Sequence, residues 1–334
     1  MSNIVPSLII PFAKPTGITS FTSLWQIKHV LSTAKLGHTG TLDSFADGLL
    51  IVLSGKFTKL VPYITDCHKT YSVYCVFGKE TDTLDPLGAV VATKPIPIAQ
   101  EFLAVLSRFH GKIEQTPPLY SAVKQNGQRL SDRVRRGESV QVTPRSVYID
   151  AIQVEELLYS DETQTRIAGA LLSIHCSKGT YIRSLVRDIA HACGSVAYVQ
   201  ALRRTAIGPF TLDQAVGKEM LKDFEPYAAP SCSTSTAEPC TGQVNPITRD
   251  VVMSAAFTLT PKLCHALRFQ SVDITDRYYD AFVTGKCIES VWFEKEGILT
   301  ERQPIAVFFQ QDCIGLIAKH LRHYSYIAVF GERL

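Results

Sequence analysis

Two hydrophobic periods divide the chain into predicted elements. Leu8, Ile9 and Ile10 form a short apolar run that predicts a strand broken at Pro11. Behind a cap at Thr19 or Ser20, Leu24, Ile27, Val30 and Leu31 share one helical face. The continuous run from Leu49 to Leu53 predicts a buried strand, and Phe57 to Ile64 a short helix. Tyr71, Val73, Cys75 and Phe77 alternate with smaller or polar residues, the pattern of a half-buried strand. Phe102, Val105, Leu106 and Phe109 line one side of an amphipathic helix over 98–110. Strands are predicted over 145–159 and 168–176, then a tight turn at Gly179 and a helix from near Thr180. The tail predicts a short helix around Tyr278 to Val283, ended by Gly285, and strands at 288–293, 304–309, 313–319 and 324–330.

Composition changes this picture in three places. With 334 residues the chain has room for one large domain and one small one. Residues 225–247 turn sharply to Pro, Ser, Thr and Ala, which predicts a linker between a domain at 1–224 and a small β-rich module at 248–334. No apolar run approaches membrane-spanning length. Nine cysteines without a C-x-x-C pair predict reduced thiols in a cytoplasm and speak against a zinc site.

The net charge of +3 identifies no partner, but local charge is informative. Lys124, Arg129, Arg133, Arg135 and Arg136 stand against the single acid Asp132. Lys178, Arg183, Arg187, Arg203 and Arg204 stand against Asp188. Two such clusters predict a basic face for a polyanion, while any one arginine fits a solvated surface equally well.

Candidate chemistry centres on residues 37–50, GHTGTLDSFADGLL. Gly37 and Gly40 bracket His38 and Thr39, and Asp43 follows among turn-forming residues before the buried strand. Such a loop can present a reactive acid, or the Asp can simply bond its own backbone. Asp82 and Asp85 fall in another loop, where internal hydrogen bonds are expected in preference to a metal.

GHTGTLD at 37–43 resembles the signature of the TruB-type pseudouridine synthases. So does the K-x-Y then G-x-x-TDT-x-D run from Lys69 to Asp85. SKGTYIRSL-x-RD at 177–188 and ALRRTAIGPF at 201–210 resemble the second signature, and Lys14, Gly17 and Ser20 match the entry motif. The blocks follow the family's order from about residue 8 to 210. The resemblance implies an α+β pseudouridine synthase fold, with a mixed, mainly antiparallel sheet and a central cleft, followed by a PUA-like module. It implies isomerisation of uridine at tRNA position 55 in the T-loop, with tRNA as partner, no cofactor and no metal. A cytoplasmic monomer with no membrane contact is expected. Asp43 is the implied nucleophile, Arg183 its ion-pair partner, and Tyr71 the residue that stacks on the base and assists the proton at carbon 5. His38 is expected to enter the RNA loop, and Tyr181 and Leu202 to line the uracil pocket. Lys14, Lys124, Arg129, Arg135, Lys178 and Arg203 are the expected RNA contacts, with the insertion 117–138 gripping the stem-loop.

The chain departs from the family at Ser131, where an aromatic is usual, and at Arg133. It departs again where Ser44, Phe45 and Asp47 follow Asp43. Asp47 adds a second acid, expected to point away and cap the next element. Rival functions are a non-catalytic RNA-binding or RNA-folding protein, a guide-RNA-dependent synthase and, more distantly, a metal-dependent phosphoryl-transfer enzyme.

Overall fold

The computed structural model describes residues 6–121, 142–224, 247–294, 299–321 and 323–332, with 124–125, 128–129, 133, 136, 138 and 140 in between. The chain begins with β1 (Ile9–Lys14), α1 (Ser20–Val30), β2 (Leu36–Thr39) and β3 (Asp47–Ser54). A 3-10 turn at Gly55–Leu60 leads into α2 (Val61–Thr65), β4 (Lys69–Phe77), β5 (Lys79–Thr81), β6 (Val90–Thr93) and α3 (Ala99–Leu106). Next come β7 (Gly111–Gln115), the short pair β8 (Lys124–Gln125) and β9 (Gln128–Arg129), β10 (Arg145–Tyr159) and β11 (Ile167–Cys176). They are followed by α4 (Ile182–Ala192), β12 (Ala197–Ile207) and β13 (Phe210–Thr211). The tail holds α5 (Arg249–Ala255), α6 (Pro261–Ala266), β14 (Gln270–Asp273), α7 (Tyr279–Val283), β15 (Ile305–Phe309), β16 (Asp312–His320) and β17 (His323–Val329).

The large sheet runs β1-β3-β12-β4-β11-β10-β7, with β2 on β3 and β13 on β12. Its pairings are antiparallel except one: β3 and β12 run parallel, with Arg203 opposite Asp47 and Arg204 opposite Gly48. At this seam the backbones approach so closely that a Cβ on Gly48 would lie 2.4 Å from the Arg204 carbonyl oxygen. Gly48 also has φ +105°, which side-chain-bearing residues rarely adopt. The seam sets the loop before β3 beside β12, and that loop carries Asp43.

Both faces of the sheet are covered, which explains the unbroken apolar run in β3. Leu50 and Val52 pack with Leu24 and Ile27 of α1 and with Leu31 just beyond it. Leu49, Ile51 and Leu53 face the other way and pack with Leu259, Phe308, Leu316 and Phe330 of the tail. A third cluster joins β4, β11 and β12 to α3 and α4 through Phe77, Phe102, Leu185 and Ile189. Each fully buried side chain of this size contributes about 1.5–3 kcal/mol of transfer free energy. The tail forms its own sheet, β14-β15-β16-β17, whose inner face packs around Phe282 and Trp292.

Pro11 does not break β1. The strand lies at the end of the sheet path and pairs Pro11 with Ile51. Ile9 and Ala13 donate their N–H groups away from β3, to Phe257 and Val216, so proline sits where the sheet needs no donor. The strand expected at 288–293 is instead a 3-10 turn at Ser290–Trp292, with Phe293 making one bridge to Ile274. β14, α5 and α6 carried no periodic signal because each spans only 4–7 residues. The expected linker, residue 247 apart, lies outside the described residues.

Candidate active site

The loop holding Asp43 is fixed from several directions. Ser20, at the start of α1, accepts a hydrogen bond from Leu42 N at 2.8 Å and donates to Leu42 O at 3.1 Å. Gly17 N donates to Ser44 O at 2.8 Å, and Ala46 N to Asp43 O at 3.2 Å. Lys14 supports the same turn from inside. It is fully buried, and its Nζ donates to Pro15 O at 2.9 Å and Ile18 O at 2.8 Å. Burial lowers its pKa to about 8. Lys14 therefore braces the turn and presents no ammonium to RNA, contrary to the sequence expectation.

Arg183 is the second residue of α4 and is enclosed, with only 3% of its side chain exposed. Its Nε lies 2.8 Å from Asp43 Oδ2, but the N–H does not point along that line. The contact is thus an ion pair rather than an aligned hydrogen bond. The rest of the guanidinium is caged. Nη1 donates to Thr83 O at 2.7 Å and lies 3.2 Å from Asp85 Oδ2, while Nη2 donates to Tyr120 O at 3.1 Å. Asp85 is held in turn by Thr83 Oγ1 at 2.6 Å and Leu87 N at 3.0 Å. The acidic loop is bonded internally, as expected, and it also supplies Arg183 with a second carboxylate. The start of α4 is set by buried Gln115, whose Oε1 accepts from Tyr181 N at 2.8 Å and whose Nε2 donates to Tyr181 O at 3.1 Å.

These groups border a cavity of about 390 Å³ whose wall includes Asp43, Tyr71, Tyr181, Arg183, Leu202 and Arg204. That volume is within the range of small-ligand sites. β4 and β12 lie side by side in the sheet, with Leu202 across from Val73 and Arg204 across from Tyr71, and Tyr71, Leu202 and Arg204 reach the cavity. Desolvation raises the Asp43 carboxyl above its ordinary value, against the pull of Arg183, and Asp85 adds to the rise. The side chain still shows 38% of its surface to the cleft. Burial also raises Tyr71, against the pull of Arg204, so the phenol keeps its proton at neutral pH. Tyr181 is raised by burial as well.

The other expected site residues separate in space. His38 lies on β2 opposite Val52, outside the cavity wall. Burial, then Arg204, lowers its pKa, so the ring is neutral at pH 7. Its Nδ1 is buried with no hydrogen-bond partner among the described residues. Lys178 stands at the cavity edge, 57% exposed, in an ion pair of 2.7 Å with Asp66. Such exposed pairs are weak, so Lys178 is free to exchange partners. Lys124 and Arg129 are partners in the backbone register of the β8–β9 pair. Arg135 lies outside the described residues.

Arg203 corrects a second expectation. Its Nε and Nη2 grip Asp47 Oδ1 and Oδ2 at 2.8 and 2.7 Å, and Nη2 also donates to Lys222 O at 2.6 Å. Its guanidinium rests 5.1 Å from the Phe224 ring centroid. Arg203 is thus committed to partners inside the protein. Asp47 is neutralised by this pair and lies off the cavity wall. It does not cap an element.

Sequence reasoning missed Arg204. This residue is buried, with Nε donating to Leu49 O at 2.8 Å and Nη2 to Gly40 O at 3.1 Å. It therefore holds the glycine loop and charges the cavity wall. Strand alternation carried the signal: Leu202 and Arg204 are two apart and share a face, while Arg203 takes the other.

Comparison with known proteins identifies the fold class first. A structure of an H/ACA RNP bound to a substrate RNA containing 2′-deoxyuridine superposes with a TM-score of 0.65 at 19% identity, over 99% of this chain and 87% of that one. A Cbf5-Nop10-Gar1 complex superposes with 0.62 at 23% identity, over 98% and 84%. At these identities the likeness is one of fold. A family model described as "TruB family pseudouridylate synthase (N terminal domain)" matches residues 28–182. A second, "tRNA pseudouridylate synthase B C-terminal domain", matches 183–234. Proteins named tRNA pseudouridine synthase B are 39% identical in Treponema pallidum, over 98% of each chain, and 40% identical in Treponema denticola, over 86% of this chain and 85% of that one. One from Pseudomonas fluorescens is 44% identical over 64% of this chain and 68% of its own. The chain belongs to the TruB family of pseudouridylate synthases.

Proposed function

We propose that this enzyme converts uridine to pseudouridine at tRNA position 55 in the T-loop, with Asp43 as nucleophile. The observation that carries this reading is the 2.8 Å ion pair between Asp43 and the caged Arg183 on the wall of a cavity of about 390 Å³. Relatives named tRNA pseudouridine synthase B support the RNA class.

The reaction breaks the bond between uracil N1 and ribose C1′, forms one from C5 to C1′, and moves a proton from C5 to N1. It is an isomerisation, so atoms balance without a co-reactant. A carboxylate that forms a covalent adduct divides this hard step into easier ones. Desolvation works against the charged carboxylate, and the fixed guanidinium opposes that effect. The target base must leave its stack at a cost of a few kcal/mol, and stacking on an aromatic returns about 1–3 kcal/mol. Tyr71 is the ring that receives it, and its protonated hydroxyl is available to assist at C5. Leu202 and Tyr181 shape the pocket. His38 occupies the space left in the loop. Lys178 and the basic hairpin bearing Lys124 and Arg129, with Arg135, take the phosphates. Residues 248–334 serve as a second, PUA-like RNA-binding domain, and the protein works in the cytoplasm as a monomer.

The test is tritium release from an unmodified tRNA transcript labelled at uracil carbon 5, with no other protein or RNA present. One tritium per tRNA, mapped to position 55, is expected. A transcript with cytidine at that position should show no modification there. Release that requires an added guide RNA would turn the assignment to the guide-dependent class. No release under either condition would end it.

A further inference from the structure

We infer that the chain carries a divalent transition-metal site of the zinc class outside the cleft, with His68, Asp150 and His175 as its ligands. His68 Nδ1 lies 2.6 Å from Asp150 Oδ2, and His175 Nδ1 lies 3.9 Å from the same oxygen. One donor atom from each residue falls within 4.8 Å of the other two. Two imidazoles and a carboxylate are a donor set that zinc and its neighbours accept. Metal–ligand bonds of about 2.0–2.1 Å in a tetrahedral array place donor atoms about 3.3 Å apart. The present spacings bracket that value, so small side-chain rotations complete the site. The ion then takes the place of the hydrogen bond between His68 and Asp150.

The backbone builds this cluster deliberately. The residues come from three adjacent strands, in the sheet order β4-β11-β10. His68 immediately precedes β4, and His175 pairs with Thr70 of that strand. The β10–β11 register passes from Ile149 opposite Cys176 to Ala151 opposite His175, leaving Asp150 as the extra residue of a bulge. Ile149 and Ile152 both enter the core, so the bulge turns Asp150 and Ala151 outward together. A bulge is a known device for re-aiming a side chain. Ile149 and Cys176 pair and both face the core, so Asp150 and His175, one step on along each strand, share the outward face.

The cluster opens into a second cavity of about 660 Å³, whose wall also includes Asp66 and, from the tail, Arg268 and Arg302. Three protein ligands leave a fourth position on the ion, and it faces this cavity. The two guanidiniums there favour an oxygen anion, such as hydroxide or inorganic phosphate, as the fourth ligand. None of the three ligands lines the catalytic cleft. Sequence spacing gave no hint, because the signal for zinc is short-range and these residues are far apart along the chain.

The test uses the full chain, stripped with chelator and kept reduced with a phosphine. Zinc chloride is titrated by calorimetry, and cobalt chloride is followed by visible absorption. One equivalent should bind, and cobalt should show the intense d–d bands of a four- or five-coordinate site without a thiolate charge-transfer band. His68→Gln, Asp150→Asn and His175→Gln should each weaken binding at least about tenfold. The apo forms should keep their melting temperature within about 2 °C, as surface substitutions do. A thiolate band, or binding as tight in the triple variant as in the parent, would overturn the site. So would no binding at all.

Discussion

Asp43 has two opposed requirements: it must be charged to attack, yet it sits where burial favours its protonated form. Asp43→Asn should reduce tritium release by at least about 10³-fold while tRNA affinity changes by less than about threefold. Substantial turnover by that variant would remove the nucleophile from the proposal. The pKa shift has a sign that can be tested. The folded chain holds the Asp43 proton more tightly than the unfolded chain does, because the folded pKa lies above 3.8. Its stabilising contribution is therefore complete below 3.8 and is lost as pH rises through the folded value. Over that window the melting temperature of Asp43→Asn should gain on the parent. Over the same window kcat/KM of the parent should rise with pH as the carboxylate forms, and Arg183→Lys, with a poorer cation placement, should move that limb to higher pH. A limb that stays in place would show that Arg183 does not tune the acid. Arg203 belongs to a different class. Removing it leaves Asp47 buried and unpaired, so Arg203→Ala should cost about 3 kcal/mol in urea unfolding. A loss of RNA affinity without a loss of stability would restore Arg203 to the RNA surface.

Among the elements, the parallel seam between β3 and β12 has the tightest tolerance. Gly48→Ala places a methyl group against the Arg204 backbone at a φ that alanine resists. The strands must separate there, and Arg204 carries the Gly40 carbonyl with it. Destabilisation of roughly 2–4 kcal/mol is expected, together with a fall in kcat larger than any rise in KM. A stable Gly48→Ala enzyme with full kcat would show that the loop is not set by the seam. Two strands that build the cleft were legible because each buries a periodic or continuous apolar run. β4 alternates and β3 carries an unbroken apolar run from Leu49 to Leu53, whereas β12 was not predicted as a strand. β1 was legible only in part. Proline reads as a breaker in the sequence, and only the strand's place at the end of the sheet path shows that its missing N–H is not needed.

For the whole molecule, the tail packs directly against elements of the large sheet. Phe330 packs edge-on against Phe57 with ring centroids 4.9 Å apart, and Tyr63 meets Phe269 in the same way at 5.2 Å. Lys56 Nζ donates to Phe330 O at 2.9 Å and to Gly331 O at 3.0 Å. A composition break predicts two domains, and β3 and the tail meet in one apolar cluster. Phe330→Ala should lower stability by about 3–5 kcal/mol and keep a single cooperative melt. Two separate transitions would mean that the tail folds by itself. Among the described residues no helix is long and apolar enough to cross a membrane.

The sequence by itself determined the family, the position of Asp43 on a glycine-bracketed loop and most strands of the large sheet. Those features rest on local order: neighbouring residues set period, turn chemistry and motif. Only the tertiary structure decided which basic residues are free. Arg203 and Arg204 look alike in a charge count, but one is held by the Asp47 carboxylate and the other by the Leu49 and Gly40 carbonyls, all far away in the chain. The cage around Arg183 and the His68–Asp150–His175 cluster arise in the same way. Both depend on which strands lie side by side and where a register slips by one residue, and no short stretch of sequence contains that information.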